Sequence, residues 1–206
     1  MSVTPFFLKI RSEYNGGPMP YSKKNLSKDI ARRDALKMFT GASISGLLLP
    51  STQAFGARDK QLSFYHTHTR QKLDVTYARE GHYVDSALLD INRFLSDFRT
   101  HDATVIDTDL LDLIHDIRES LNSTGRYEVI SAYRSPKTNE MLRTRSDNSG
   151  VAKKSQHLLG KAIDVRLSDV RLKKLRDAAI AMQRGGVGYY EDSNFVHIDT
   201  GSVRRW

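Results

Sequence analysis

The chain of 206 residues contains no cysteine. Disulfides are therefore excluded in any compartment, as are thiolate catalysis and cysteine-ligated zinc. Proline is scarce, at 5 residues, and Pro5, Pro18 and Pro20 fall near the start. Long apolar runs are missing too. Met38 to Leu49 is mildly apolar, but it is short and broken by Gly41, Ser43, Ser45 and Gly46, which is too little for a spanning helix. Nothing in the pattern repeats, and no linker divides it, so the length fits one domain with a core of ordinary size. Charge of one sign is in excess only locally. The net charge is +8, yet residues 1–57 carry 8 Lys and Arg against 3 Asp and Glu. The remainder is close to balance, which argues against nucleic acid as a partner and leaves a mild surplus suited to an anionic polymer.

Residues 1–57 read as an address rather than as part of the fold. The first thirty are polar, basic and without periodicity. Ala31-Arg-Arg-Asp-Ala-Leu-Lys37 then resembles the twin-arginine consensus, with Arg32 and Arg33 as the pair and Lys37 at the trailing position. Pro50 ends the apolar stretch, and Ala54, Gly56 and Ala57 offer cleavage points. This layout implies a twin-arginine-type export signal with a long n-region. It further implies the twin-arginine translocase as a partner, a periplasmic or envelope location, and no stable membrane span after cleavage. The other readings are a disordered tail leading into a surface amphipathic helix, and an uncleaved signal retained as a membrane anchor. The domain itself is expected over 58–206.

Within 58–206 the apolar spacing predicts a mixture of elements. Leu62 to Thr69 alternates as a strand does. Val84 to Phe98 and Asp107 to Leu121 carry apolar residues at helical spacing, and Asp107 or Thr108 can cap the second. Tyr127 to Tyr133 reads as a strand that delivers Arg134. Ser135-Pro136 opens a helix, with serine as cap and proline in the first turn. A polar loop over 145–154 leads to a second strand, Ala162 to Leu167. Ser168 is placed to cap the next helix, which Gly185-Gly186 stops. Val187 to Tyr190 and Phe195 to Asp199 make a hairpin. Helices and strands in this order predict an α+β fold with a mostly antiparallel sheet.

Ser155-Gln-His-Leu-Leu-Gly-Lys-Ala-Ile-Asp164 is the stretch with the clearest chemistry. His157 falls in a turn bracketed by Ser155 and Gly160, and Asp164 falls within a strand. His197 lies on the last strand. His157, Asp164 and His197 make a set of two imidazoles and one carboxylate, which suits Zn²⁺ and leaves a fourth position for water. Each residue taken alone is as readily solvated or hydrogen-bonded. His66 and His68 also stand two apart, but no third ligand accompanies them, and ordinary strand histidines are the expectation. His82, His101 and His115 have no ligand-like neighbours.

The pattern Ser155-x-His157-x-x-Gly160-x-Ala162-x-Asp164, with Val196-His197-Ile198-Asp199, resembles the zinc D-alanyl-D-alanine peptidases. That group also takes in lysostaphin-type enzymes and the hedgehog signalling domain. Ser131-Ala-Tyr-Arg-Ser135 is similar to the family's S-G-Y-R-S segment. The whole run from Leu62 to Trp206 resembles the murein endopeptidase K group of exported peptidoglycan hydrolases. The resemblance implies zinc as cofactor, held by His157, Asp164 and His197, with Arg134 binding substrate or stabilising the transition state. It implies murein peptides as substrate and an endopeptidase acting on their cross-links. A D,D-carboxypeptidase and a non-catalytic zinc-containing binding module are the alternatives. The base is where this chain departs from its relatives, because Asn194 and Phe195 occupy the positions where many of them carry His or Glu. Asp199 and Glu191 are the candidates, and Asp199 has a second possible role in orienting a zinc-bound imidazole.

Overall fold

The computed structural model describes residues 58–145 and 150–206. The expected export signal lies outside the described residues. Among those described, eight strands form one sheet: β1 (Lys60–His66), β2 (Lys72–Arg79), β3 (His82–Tyr83), β4 (Tyr127–Ser131), β5 (Ala162–Leu167), β6 (Gly186–Tyr190), β7 (Phe195–Asp199) and β8 (Arg204–Arg205). Their order is β3-β2-β1-β4-β5-β7-β6-β8. Only β1–β4 and β6–β8 pair in parallel; the other neighbours are antiparallel. The helices are α1 (Asp85–Phe94), α2 (Thr108–Ser120), α3 (Pro136–Thr144) and α4 (Leu172–Ala181). This is the expected α+β class with a mostly antiparallel sheet. No helix among the described residues is long and apolar enough to cross a membrane.

Period-two alternation decides which face of the central strands carries what. On β5, Ile163 and Val165 alternate with Asp164; on β7, Val196 and Ile198 alternate with His197 and Asp199. The register pairs Ile163 with Ile198 and Asp164 with His197. One face is therefore wholly apolar and the other carries the polar groups. A slip of one residue would drive Asp164 into the core.

The apolar face is covered by helical stripes. Helix α1 buries Ala87, Leu88 and Ile91, α2 buries Leu110, Leu111, Ile114 and Ile117, and α4 buries Leu175 and Ala179. They join Phe64, Tyr127, Val129, Ile163, Val165, Val196 and Ile198 in one cluster. Each fully buried Leu or Ile contributes about 1.5–3 kcal/mol, so these stripes fix the helices to the sheet. The Tyr127 hydroxyl, buried among them, donates to the Ile114 carbonyl at 2.7 Å.

Two helix starts follow the expected chemistry. The Asp107 side chain accepts from the Asp109 amide, and Ser135 Oγ accepts from the Thr138 amide with Pro136 in the first turn. Helix α4 does not. Arg171 precedes it without a side-chain cap, while Ser168 Oγ accepts from the Arg126 amide at 3.0 Å. Ser168 lies three residues before the N-cap position and joins two loops instead of capping the helix. Strand β1 ends at His66, so His68 lies in the turn beyond it. Strands β2, β3 and β8 add to the expected set.

Candidate metal centre

His157 reaches the site from a 3-10 turn, Gln156–Leu159, whose start is capped by Ser155 Oγ. Gly160 closes that turn at φ +66°, in the left-handed region, and a Cβ there would come 2.4 Å from the Val105 carbonyl oxygen. Only glycine fits both demands. Asp164 and His197 arrive directly across from one another on β5 and β7. All three side chains are buried, at 2%, 2% and 8% exposure.

The ligand atoms converge tightly. His157 Nε2 lies 3.2 Å from His197 Nδ1 and 3.2 Å from Asp164 Oδ1, and His197 Nδ1 lies 2.9 Å from the same oxygen. The outward nitrogens are engaged elsewhere. His157 Nδ1–H donates to the Ala132 carbonyl at 2.5 Å, and His197 Nε2–H donates to Asp199 Oδ2 at 2.8 Å. These partners assign the tautomers, and each leaves the inner nitrogen with a lone pair. Two imidazole lone pairs and a carboxylate oxygen then face one another in a buried space. Such a cluster could hold a cation.

The electrostatics point the same way. Burial lowers the His157 pKa, outweighing the pull of Asp164, so that imidazole is neutral and ready to coordinate. Burial would also lower His197, but hydrogen bonds to Asp164 and Asp199 raise it instead. A metal bound there would compete with a proton for His197. Burial opposes ionisation of Asp164, yet His157, His197 and Arg134 together hold its carboxyl far below the usual range. The donor set of two neutral nitrogens and one carboxylate, each oriented by a second bond, fits Zn²⁺. Among the described residues this is the group of His and acidic side chains close enough to hold a metal ion.

Arg134 is not a surface ion pair. Its guanidinium is largely buried, donates through Nε to Ser131 Oγ at 2.9 Å and through Nη2 to Asp164 Oδ2, and lines the cavity in front of the cluster. That cavity, of about 210 Å³, is walled by His157, Asp164 and His197, by Val151 to Gln156 in part, and by Tyr190, Phe195, Arg204 and Trp206. The loop wall is tied down where Asn139 Nδ2 of α3 donates to the Ala152 carbonyl at 3.2 Å.

The two expected base candidates fall elsewhere. Asp199 is fully buried. Its Oδ1 accepts from the Gly186 and Gly201 amides and Arg204 Nη1, and its Oδ2 accepts from His197 Nε2 and Arg204 Nη2. With five donors around it, no lone pair is left to take a proton from the cavity. Glu191 is exposed at the hairpin tip and engages the Tyr189 hydroxyl, on the opposite face of β6 from Tyr190. Neither residue lines the cavity.

Tyr190, Arg204 and Trp206 had no place in the expected site. The signal for them is the alternation Gly186-Val-Gly188 on β6. A Cβ on Gly186 would strike Arg204 and Asp199, and one on Gly188 would strike the Trp206 indole. Glycine at every second position on a strand marks a face over which other side chains lie closely.

Two imidazoles and a carboxylate that could hold one metal ion, at the wall of a cavity, are the site this fold builds. Residues 54–206 match the family Peptidase_M15_2, described as peptidoglycan L,D-endopeptidase MepK, and the chain belongs to that family. It is 37% identical over 185 residues to peptidoglycan L,D-endopeptidase MepK of Escherichia coli K12, covering 88% of this chain and 100% of the relative. It is 38% identical over 146 residues to a probable peptidoglycan L,D-endopeptidase MepK of Haemophilus influenzae, covering 70% of this chain and 77% of the relative. No solved structure matches the chain significantly.

Proposed function

We propose that the protein is a zinc-dependent murein endopeptidase that hydrolyses amide bonds in peptidoglycan cross-links. The observation that carries this is the convergence of three lone-pair donors on one point at the wall of an open cavity, in a chain whose relatives are named as peptidoglycan L,D-endopeptidases. His157, Asp164 and His197 would hold the ion. Zinc in such a site supplies Lewis-acid polarisation of a carbonyl and acidification of water.

The chain's own residues supply the rest. Arg134 keeps Asp164 ionised and presents a buried positive charge beside the reacting amide, where it stabilises developing negative charge or holds a substrate carboxylate. Asp199 acts as a positioning residue: its Oδ2 accepts the hydrogen bond from His197 Nε2–H and so keeps Nδ1 turned inward, while Arg204 holds Asp199. Tyr190 Oη accepts the Trp206 indole N–H at 2.8 Å, which leaves its own proton for an acceptor in the cavity. No carboxylate or imidazole besides the three converging groups lines the cavity among the described residues.

Such an enzyme must reach the wall, and residues 1–57, with Arg32 and Arg33, support export to the periplasm by the twin-arginine route. The test is zinc-loaded protein on isolated cross-linked muropeptides, with products resolved by mass. Cleavage of the cross-link that stops on chelation and returns with zinc is expected. Release of a terminal residue from uncross-linked stems would favour a carboxypeptidase, and binding to sacculi without cleavage would favour a binding module.

A further inference from the structure

Trp206 is the one tryptophan of the chain, and it is placed with unusual care. Its backbone continues the β6–β8 pairing, accepting from the Tyr189 amide at 3.0 Å and donating to the Val187 carbonyl at 3.2 Å. Its indole lies flat across Gly188, where a Cβ would come within 2.7 Å of the ring. Gly188 is directly opposite His197 in the register, so the indole stands 5.3 Å from the His197 ring, centroid to centroid. Its N–H is fixed by Tyr190, and the Arg204 guanidinium lies 5.0 Å from the ring centroid.

These supports lock the ring, yet 51% of the residue remains exposed. Shielding His197 uses one face of the ring, and the exposed part of the indole borders the cavity beside the three converging side chains. Tyr190 and Phe195, stacked at 4.6 Å, extend the aromatic wall along the hairpin. Murein peptides contribute amide planes rather than aromatic rings, and a planar amide stacks well on a flat indole face.

We propose that Trp206 is a substrate-binding residue: its indole is the platform on which the peptide amide next to the scissile bond stacks, and the bare strand at Gly188 exists to seat it. This rests on the peptidase reading for its substrate. The platform binds substrate and transition state alike, so its loss falls on KM rather than kcat.

The experiment uses zinc-loaded full chain, cross-linked muropeptide for kinetics, and the uncross-linked stem peptide for binding followed by tryptophan fluorescence. Trp206→Ala is expected to raise KM about tenfold with kcat within about twofold and zinc content unchanged. Trp206→Phe should recover most of the loss. Gly188→Ala keeps the fluorophore but displaces the ring, and should copy the KM effect while abolishing the fluorescence response to stem peptide seen in the unmutated protein. An unchanged KM in both Trp206→Ala and Gly188→Ala overturns the proposal, as does a loss confined to kcat or to zinc content. If the unmutated protein cleaves nothing, the peptidase reading fails separately. The titration then decides alone: a response removed by Gly188→Ala supports the platform, and no response overturns it.

Discussion

Two pairs of histidines invite comparison. His66 and His68 are two residues apart, and their ring centroids lie 6.0 Å apart; His157 and His197 are forty apart in sequence, and their rings lie 5.0 Å apart. Proximity is therefore nearly the same. What differs is where the lone pairs go. At the first pair, His66 Nδ1 accepts from the His68 and Thr69 amides at 3.3 and 3.4 Å, and the His68 ring stacks on Phe98 at 4.1 Å. The imidazoles are consumed by turn geometry and aromatic packing. At the second pair, both outer nitrogens are donors to oxygen, and both inner lone pairs meet a carboxylate. Hydrogen bonding to the far nitrogen separates a candidate metal ligand from a packed histidine.

The comparison is broken most forcefully at its carboxylate. Asp164→Ala removes the group that balances Arg134 and His197, and leaves Arg134 largely buried without its partner. A loss of about 3–5 kcal/mol is expected, together with loss of bound zinc. His68→Ala should cost less than about 1 kcal/mol and leave zinc in place, because it removes only a stacked, half-exposed ring. Denaturant titration of both variants checks this; equal losses would erase the distinction.

Asp199→Asn tests the outer bond alone. Every neighbour of Asp199 is a donor, so one end of an asparagine would present a donor to donors. Zinc affinity should fall about 10–100-fold, measured by competition with a chromogenic chelator. Unchanged affinity with activity lost would restore Asp199 as a proton acceptor.

A test away from the metal site concerns His66. Burial, with a further push from His68, lowers its pKa from 6.5 to about 4. The unfolded chain takes up this proton first, so stability should fall as pH drops from about 6.5 towards 4 and level off below. His66→Phe, between Phe94 and Phe98, should flatten that slope in thermal melts at pH 7 and pH 5. A slope as steep as in the unmutated protein would show that His66 does not titrate as described.

The histidine comparison also shows how much could be read before any fold was known. Strands β5 and β7 were legible because Ile163, Val165, Val196 and Ile198 alternate with the polar residues, and a buried face fixes register. The start of α3 was legible because Ser135-Pro136 has one good use. Strand β2 carries the same alternation, Leu73, Val75 and Tyr77 against Lys72, Asp74 and Thr76, and was as legible as β5 and β7. Strand β8 has no apolar residue at all. Arg204-Arg205 is held by backbone pairing and by Asp199, which lies within a strand of its own. The site followed the same division. His157, Asp164 and His197 were legible as a set through the family resemblance of their motifs, whereas their meeting depends on the pairing of β5 with β7. The saturation of Asp199 depends on Gly186, Gly201 and Arg204 arriving from separate segments, and residue spacing does not show that.

Zinc bound per chain after equilibrium dialysis is the most direct test of the metal centre. One zinc is expected in the unmutated protein, one in the His66→Ala/His68→Ala double variant, and none in His157→Ala. Retention of zinc by folded His157→Ala, with loss from the double variant, would contradict the assignment and move the metal to the other pair.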